Sequence, residues 1–358
     1  GEVLSPCGSI RLSAFLDETR RRDERFDVRY LLLPELERYG ADVIVWQRVA
    51  LPTVNQIETL SGLAAASGAR LIYDLDDNLL DVANHGEADA YVGRVAAVKA
   101  SLALADEVWV STRRLAERIA TLSKGAVRVL PNALDPDLWR TSIPKERAGR
   151  RSGPFRMLYM GTRTHDQDFK ILEMSLEQLN RQHPGNFELT MIGVCAEDLA
   201  AHRWLNSLSP PAHIGASYPA FVHWFSQLQG FDLGLAPLLA GPFNDCKSSI
   251  KVLDYAALGI PTLASDVDAY RDDLLIEGHN VFRVENSSDA WVARISALMS
   301  APDLLAEVER NSRCLVGRDR FLVAVEDREK RIIEQFDSRD GRTAATQRAT
   351  NSSSGTVF

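Results

Sequence analysis

The sequence predicts two doubly wound α/β domains in tandem, and three observations carry that expectation. At 358 residues the chain is longer than one ordinary hydrophobic core serves. Short apolar β-type runs alternate with amphipathic helical stretches along most of it. The alternation breaks once, at "PDLWRTSIPKERAGRRSG" (136–153), where Pro, Gly and charge mark a linker, and then restarts.

Taken in order, the chain opens with "EVLSP", read as a first strand that ends in "SPCGSIRL" (5–12). Further strand runs are "DVRYLLL" (27–33), "ADVIVWQR" (41–48), "RLIYDLD" (70–76), "DEVWVS" (106–111) and "VRVLPNA" (127–133). Helical patterns such as "PTVNQIETLSGLAAASG" and "RVAAVKASLALA" lie between them. Continuous apolar strands separated by such helices mean a parallel sheet covered on both faces. After the linker come "FRMLYMG" (155–161), "FELTMIGV" (187–194), "FDLGLAPL" (231–238), "PTLASD" (261–266) and "NVFRV" (280–284). The expected organisation is therefore a domain over 1–135, a linker over 136–153 and a second domain over 154–319. A charged helix at about 320–338 is expected to cross back to the first domain. The polar, low-complexity residues 339–358 are expected to lack structure. Ligands of such sheets sit beyond the carboxyl ends of the strands, which here means an interdomain cleft.

Composition narrows the class. Hydrophobic residues make up 45% and charged residues 25%, the balance of a soluble globular protein. A net charge of -8 argues against nucleic acid as partner, since that affinity rests on Lys and Arg neutralising phosphates. Cys7, Cys195, Cys246 and Cys314 are far apart and form no CxxC pair, which fits a reducing cytoplasm better than a zinc or disulfide framework. No apolar run approaches the roughly 20 residues that span a bilayer. That leaves a cytoplasmic protein, with peripheral association at the inner membrane face still open to it. Gly1 at the start reads as a domain trimmed from a longer, multidomain chain.

The segment richest in chemistry is "FNDCKSSIKVLDYAALGIPTLASD" (243–266). A loop leads into a helix near Ser248 or Ser249, the helix stops near Gly259, and a buried strand follows Pro261. Lys247, Lys251 and Asp254 fall at i, i+4 and i+7 and so share a helical face, with about 10 Å of axis between the first and last. That is the span from a diphosphate to the ribose of a nucleotide. Free N–H groups at a helix start, with lysine beside them, suit phosphate. A carboxylate two turns on suits ribose hydroxyls. The plainer alternative is an amphipathic helix with a solvated charged face.

"PNALD", a Gly-containing loop and K-S-x-x-K-x-x-D-Y-x-A-x-G-x-P together resemble the GT-B glycosyltransferases of family 4, over roughly residues 100–320 and more faintly before that. "ADEVWVSTRRLAERI" with "VRVLPNALD" (105–135) resembles the end of that family's acceptor domain, and "LYMGTRTHDQDF" (158–169) the start of its donor domain. The resemblance implies two Rossmann-like domains in the GT-B architecture and a retaining enzyme that uses a nucleotide-sugar donor, with no metal or other cofactor. It implies a saccharide or lipid-linked acceptor held by the first domain, as in polysaccharide or glycoconjugate synthesis. It places Lys247, Ser248, Ser249 and Lys251 on the donor phosphates and Asp254 on the ribose. Gly161 and Thr162 would offer backbone N–H groups to the β-phosphate, with Arg163 and His165 beside the donor. Gly193 and Tyr218 fall where the family cradles the base, and Gly8 where a glycine loop lies beside donor and acceptor. The chain departs from the family pattern of two glutamates eight positions apart: Asp254 takes the second place and Cys246 the first. The basic pair that usually follows the donor-domain glycine is also replaced, by Thr162-Arg163-Thr164-His165.

"LIYDLDDNLL" (71–80) brings three carboxylates together at a strand end: Asp74, Asp76 and Asp77. One reading is a haloacid-dehalogenase-like phosphatase with Asp74 and Asp76 as nucleophile and metal ligand. It wants a small residue and Thr next, where this chain has Asp77 and Asn78. A second is the metal-binding D-x-D of GT-A enzymes, a different fold. A third sets Asp76 and Asp77 on acceptor hydroxyls, one of them as a catalytic base, with helix capping as the plain alternative. Arg11 and Arg48, at strand ends of the same half, are candidates for the cleft. A module that binds nucleotide sugar without turning it over is the last rival, suggested by Cys246.

Overall fold

The computed structural model describes residues 5–82, 91–139, 153–161, 166–193, 202–212, 214 and 217–352. The chain divides into two compact units. One comprises Arg11–Leu80, Asp89–Pro131 and Val323–Phe358, the other Gly1–Ile10, Asp81–Ala88 and Asn132–Leu322.

The first unit is built on four parallel strands in sequential order: β1 (Val43–Gln47), β2 (Arg70–Leu75), β3 (Glu107–Val110) and β4 (Ala126–Val129). Ile72, Trp109 and Leu130 form part of its core. The helix Val54–Ser67 starts on a capping box between Thr53 and Gln56 and stops at Gly68, which takes the left-handed conformation at φ 68°. Thr112 caps Arg113–Ile119 in the same way. Register places Gln47 beside Asp74, and Asp74 beside Trp109, at the carboxyl ends of the strands.

One expected strand of this half joins no sheet, and the described end of another is helical. Gly1–Leu4 lie outside the described residues, and "SPCGSIRL" is helical: Pro6–Gly8, a wide π-type turn over Ser9–Ser13, then Ala14–Arg22. The local chemistry explains this. Ser5 accepts a hydrogen bond from the Gly8 amide (3.0 Å) as an N-cap, and Pro6 stands at the first helical position. "DVRYLLL" joins no sheet, and its Tyr30 and Leu32 are exposed, so the apolar run has no neighbour to cover it.

The C-terminal helix runs Arg318–Ser352, past the end expected from composition, and 353–358 lie outside the described residues. The Ala, Arg and Gln of residues 343–350 are adequate helix formers. Arg328, fully buried, donates from Nε to the Arg11 carbonyl (3.2 Å) and from Nη2 to the Pro131 carbonyl (3.3 Å), with its guanidinium 3.8 Å over the Phe15 ring. Gln335 donates to Glu107 (3.0 Å).

The second unit carries six parallel strands: β5 (Phe155–Met160), β6 (Phe187–Ile192), β7 (Leu205–Leu208), β8 (Leu233–Ala236), β9 (Thr262–Ser265) and β10 (Phe282–Val284). Their spatial order is β10-β9-β8-β5-β6-β7. One core layer joins the sheet to Phe169, Leu172, Leu176 and Leu179 of helix Asp166–Gln182 and to Trp291 and Ile295 of Ser288–Met299. The other joins it to helices Tyr218–Phe225 and Ile250–Ala257. Strand β7 was not anticipated, because Asn206 and Ser207 at a sheet edge break the apolar pattern. The chain leaves β5 toward β6 and β7, then returns to β8 on the opposite side. The switch in direction between β5 and β8 is where such sheets bind ligands.

Candidate functional site

At the switch, β5 and β8 stay paired only as far as Tyr159 and Leu235. Just beyond, the Tyr255 hydroxyl accepts from the Met160 amide (2.9 Å) and donates to the Leu235 carbonyl (3.1 Å), which pins the two strand ends. Gly234 is required for this, since a Cβ there would sit 2.5 Å from the Tyr255 ring. The turns that follow β5 and β6 are equally close. Gly193, at φ 80°, passes so near that a Cβ would meet the Gly161 carbonyl oxygen at 2.4 Å. The bare backbone of both turns therefore lies at the carboxyl edge of the sheet.

After β8 the chain is held in place by a closed polar network. The Leu238 amide donates to Ser265 Oγ (2.9 Å), Ser265 donates to Asn286 Oδ1 (2.6 Å), and Asn286 returns a hydrogen bond to the Leu238 carbonyl (2.8 Å). The buried Asp168 accepts from the Leu239 amide (2.8 Å). A tight turn, Asn244–Cys246, delivers Lys247 in extended conformation. Asn132, from "PNALD", donates to Ser248 Oγ (2.8 Å). The helix proper starts at Ile250, and Ser249 makes no side-chain cap bond. Lys247 thus precedes the helix, which corrects the expected i, i+4, i+7 face. Only Lys251 and Asp254 share a helical face, and the Lys247 ammonium rests 5.2 Å from the Phe243 ring centroid.

The Lys251 ammonium and one oxygen of Asp254 on that face are shut off from solvent. Lys251 is 8% exposed, and its Nζ has no hydrogen-bond partner, only the Tyr159 ring with its centroid 5.1 Å away. Burial, and then the neighbouring charge of Lys247, push its pKa down to about 8. Asp254 Oδ1 is likewise buried and unpartnered, and burial pushes that carboxyl up to about 7 against the pull of Lys251. The Tyr218 hydroxyl, beside Trp139, is also shut off from solvent. Burial foremost, and then the charge of Asp254, raise its pKa. The Tyr218 ring packs against the core layer that holds the Ile250–Ala257 helix. Buried polar groups nearly always find partners. Two orphans one helical turn apart mark a place where a polar ligand would complete the structure.

The carboxylates of the first unit are the opposite case. Asp74 and Arg11 are both 0% exposed and form a two-pronged ion pair (Nη2–Oδ2 2.6 Å, Nε–Oδ1 3.2 Å). Gln47 donates to Asp74 Oδ1 (2.8 Å), and Arg11 also donates to the Leu130 carbonyl. Asp74 therefore has no oxygen free to attack a phosphate, which removes the phosphatase reading. Arg11 is sealed away from any cleft, and Gly8 is buried in a helical turn instead of lining an open loop. Arg48 binds Asp76 (2.6 Å) and Asp77 (2.7 Å) through Nη1, which accounts for the charge at the end of β2. It sits at φ 48°, unusual for a residue with a Cβ, and the Tyr73 hydroxyl holds its carbonyl (2.8 Å).

The second unit thus gathers Lys247, Ser248, Ser249, Lys251, Asp254 and Tyr218 around one short helix, with Gly161 and Gly193 at the strand ends. Thr162, Arg163 and His165 lie outside the described residues. Asn132, Asp168, Tyr255 and Asn286 were missed. Their single polar side chains have no period or spacing of their own, and only "PNALD" and "DYAALG" hinted at two of them. Among the described residues no helix is long and apolar enough to cross a membrane.

A double Rossmann-like chain of parallel sheets, with a polar site at the switch point of the second, is the architecture of the GT-B glycosyltransferases. Solved structures agree. TarM of S. aureus superposes with a TM-score of 0.59 at 12% identity, over 85% of this chain and 57% of that one. Sucrose-phosphate synthase from Thermosynechococcus elongatus gives 0.59 at 15%, over 84% and 76%. Anabaena HepE, solved with UDP, gives 0.58 at 14%, over 84% and 80%. At such identities the likeness establishes the fold alone. No family model and no curated protein sequence matches the chain.

Proposed function

We propose that the chain is a retaining glycosyltransferase. It moves a sugar from a nucleoside diphosphate donor to a hydroxyl of a saccharide or lipid-linked acceptor, in polysaccharide or glycoconjugate synthesis. The observation that carries this reading is the Lys251–Asp254 face: a buried ammonium and one buried carboxylate oxygen, Asp254 Oδ1, each without a hydrogen-bond partner. The HepE structures with UDP and with UDP-glucose add support from the same fold, and make UDP the first donor base to try.

In this reading Lys247 and Lys251 neutralise the diphosphate. Ser248, Ser249 and the N–H groups that open the Ile250–Ala257 helix add hydrogen bonds, and the bare turns at Gly161 and Gly193 let phosphate oxygens come close to backbone. Asp254 accepts from the ribose. As the sugar departs, charge grows on the β-phosphate, and a lysine already stripped of water stabilises it more strongly than a solvated one would. On the acceptor side the reading keeps Asp76 and Asp77, oriented by Arg48. No divalent metal is needed for the leaving group.

Cys246 favours a second reading, donor binding without transfer, because it stands where the resembling family has a glutamate. Turnover decides between them. The chain is offered UDP-, GDP- and ADP-sugars with glycosyl and lipid-linked acceptors, and nucleoside diphosphate release is followed with and without EDTA. Acceptor-dependent release that survives EDTA is expected. Donor binding without release supports the second reading, and activity abolished by EDTA but restored by magnesium or manganese contradicts the proposed chemistry.

A further inference from the structure

Two serines stand at the start of the Ile250–Ala257 helix, and neither caps it. Ser249 holds the cap position but makes no side-chain bond to the helix. Ser248 Oγ accepts from Nδ2 of Asn132 (2.8 Å), and among the described residues Ser248 makes no other hydrogen bond. The direction of that bond matters. An amide nitrogen can only donate, so it takes a lone pair of the serine oxygen and leaves the hydroxyl proton unused. Asn132 is 8% exposed, so the amide that fixes the hydroxyl is itself held by packing. Ser248 is half-buried and keeps access to solvent. Its neighbours in sequence, the Lys247 ammonium and the N–H groups that open the helix, are donors as well. A set made of donors calls for a ligand made of acceptors, and phosphate oxygens at neutral pH are that.

We infer that Asn132 is a positioning residue for the donor: by occupying the acceptor side of Ser248 it directs the serine O–H onto a phosphate oxygen of the nucleoside diphosphate. The inference rests on the donor reading above and deepens it. It gives the asparagine of "PNALD" a task of its own. A hydroxyl whose oxygen already accepts a hydrogen bond is also the better donor, because bonds in a chain polarise one another. Both residues belong to the six-stranded unit, so the arrangement is complete within it.

The test is a double-mutant cycle with a pH axis. UDP, GDP and ADP are titrated by calorimetry into wild type at pH 8, and the tightest of them into Asn132→Ala, Ser248→Ala and the double variant. Each single change is expected to weaken binding about three- to tenfold, the worth of one hydrogen bond. The double variant is expected to bind no more weakly than Ser248→Ala, because Asn132 acts only through that hydroxyl. Asn132→Asp keeps the shape and reverses the chemistry, since a carboxylate accepts and turns the serine proton inward. At pH 8 it is expected to lose more than Asn132→Ala, beyond about tenfold. In the Ser248→Ala background the same change is expected to cost less, because only its charge remains. Measured against wild type at the same pH, the Asn132→Asp deficit is expected to shrink toward pH 5, as the introduced carboxyl gains a proton to donate. Equal affinity in wild type and Asn132→Ala overturns the inference, as do losses that add in the double variant. Asn132→Asp binding as well as wild type at pH 8 also overturns it, because Ser248 would then be donating to position 132. If Asn132→Ala fails to fold, Asn132→Asp decides, and loss of fold in both makes the residue structural and overturns the inference. Failure of wild type to bind all three diphosphates overturns the donor reading itself, and this inference with it.

Discussion

The two units each bury a cation and at least one carboxylate oxygen near the carboxyl end of a parallel sheet, and they treat them in opposite ways. In the four-stranded unit, Asp74 and Arg11 satisfy one another on both prongs, and Gln47 and the Leu130 carbonyl take up what remains. In the six-stranded unit, Lys251 Nζ and Asp254 Oδ1 lie one helical turn apart and neither has a hydrogen-bond partner. A buried charge costs several kcal/mol unless it is matched. The first arrangement has met that cost within the fold, and the second has not. Satisfaction, more than burial or charge, is what sets the two pairs apart in this chain.

The largest effect should come from breaking the satisfied pair. Asp74→Ala strands Arg11 at 0% exposure, and such losses cost about 3–5 kcal/mol. A urea titration is expected to show that drop in stability, or no folded protein at all. A stable Asp74→Ala that loses only turnover would mean that Asp74 belongs to an active site after all.

Next in size is a kinetic contrast between the two lysines. Lys251→Ala should lower kcat by more than it raises KM, because its interaction strengthens as the diphosphate leaves. Lys247→Ala, in the extended stretch before the helix, should mainly raise KM. Steady-state rates against donor concentration separate the two. Near-wild-type kcat in Lys251→Ala would move the leaving-group contact elsewhere.

A smaller effect concerns pH. The Asp254 carboxyl lies at about 7 in the folded chain against 3.8 when unfolded. Between those values the folded state holds the proton more tightly, so this group favours folding at low pH, and that contribution is lost as pH rises from about 4 to 7. Asp254→Asn has no proton to lose. Its unfolding temperature at pH 7.5 should exceed that of wild type by roughly 2–6 °C, a difference that fades toward pH 4. Parallel wild-type and variant profiles across this range would show that Asp254 is not a desolvated acid.

Much of this was legible in the sequence, and what was not has physical causes. Among the described residues, nine of the ten strands fall on the apolar runs to within a residue, because strands buried on both faces cannot avoid writing a continuous apolar pattern. β7 is a polar edge and wrote none. "DVRYLLL" wrote the pattern but found no neighbour, since composition does not say whether a strand will have a partner. Ser5 and Pro6 were overlooked as a helix start because the run before them looked extended. The D-x-D-D cluster drew attention by its density of charge. What makes it structural is the matching cations Arg11 and Arg48, which are 63 and 26 residues distant from Asp74 in sequence. Lys251 and Asp254 were found by their spacing, but their isolation was invisible until the side chains around them were placed.

The smallest effect should come from Arg48, whose carboxylate partners retain some exposure. Arg48→Ala is expected to cost about 1 kcal/mol in a urea titration and to leave nucleotide affinity unchanged.

The central claim, that the unsatisfied pair awaits a nucleotide, is tested most directly by calorimetric titration of UDP into wild type and Asp254→Ala at pH 8, where Asp254 is ionised. Hydrogen bonds to a charged group are worth about 1.5–3 kcal/mol. The account therefore predicts affinity lower by about ten- to a hundredfold in a variant that is at least as stable as wild type. Unchanged affinity for UDP in a folded Asp254→Ala would contradict it, and would reduce the pair to a flaw in the packing of one helix.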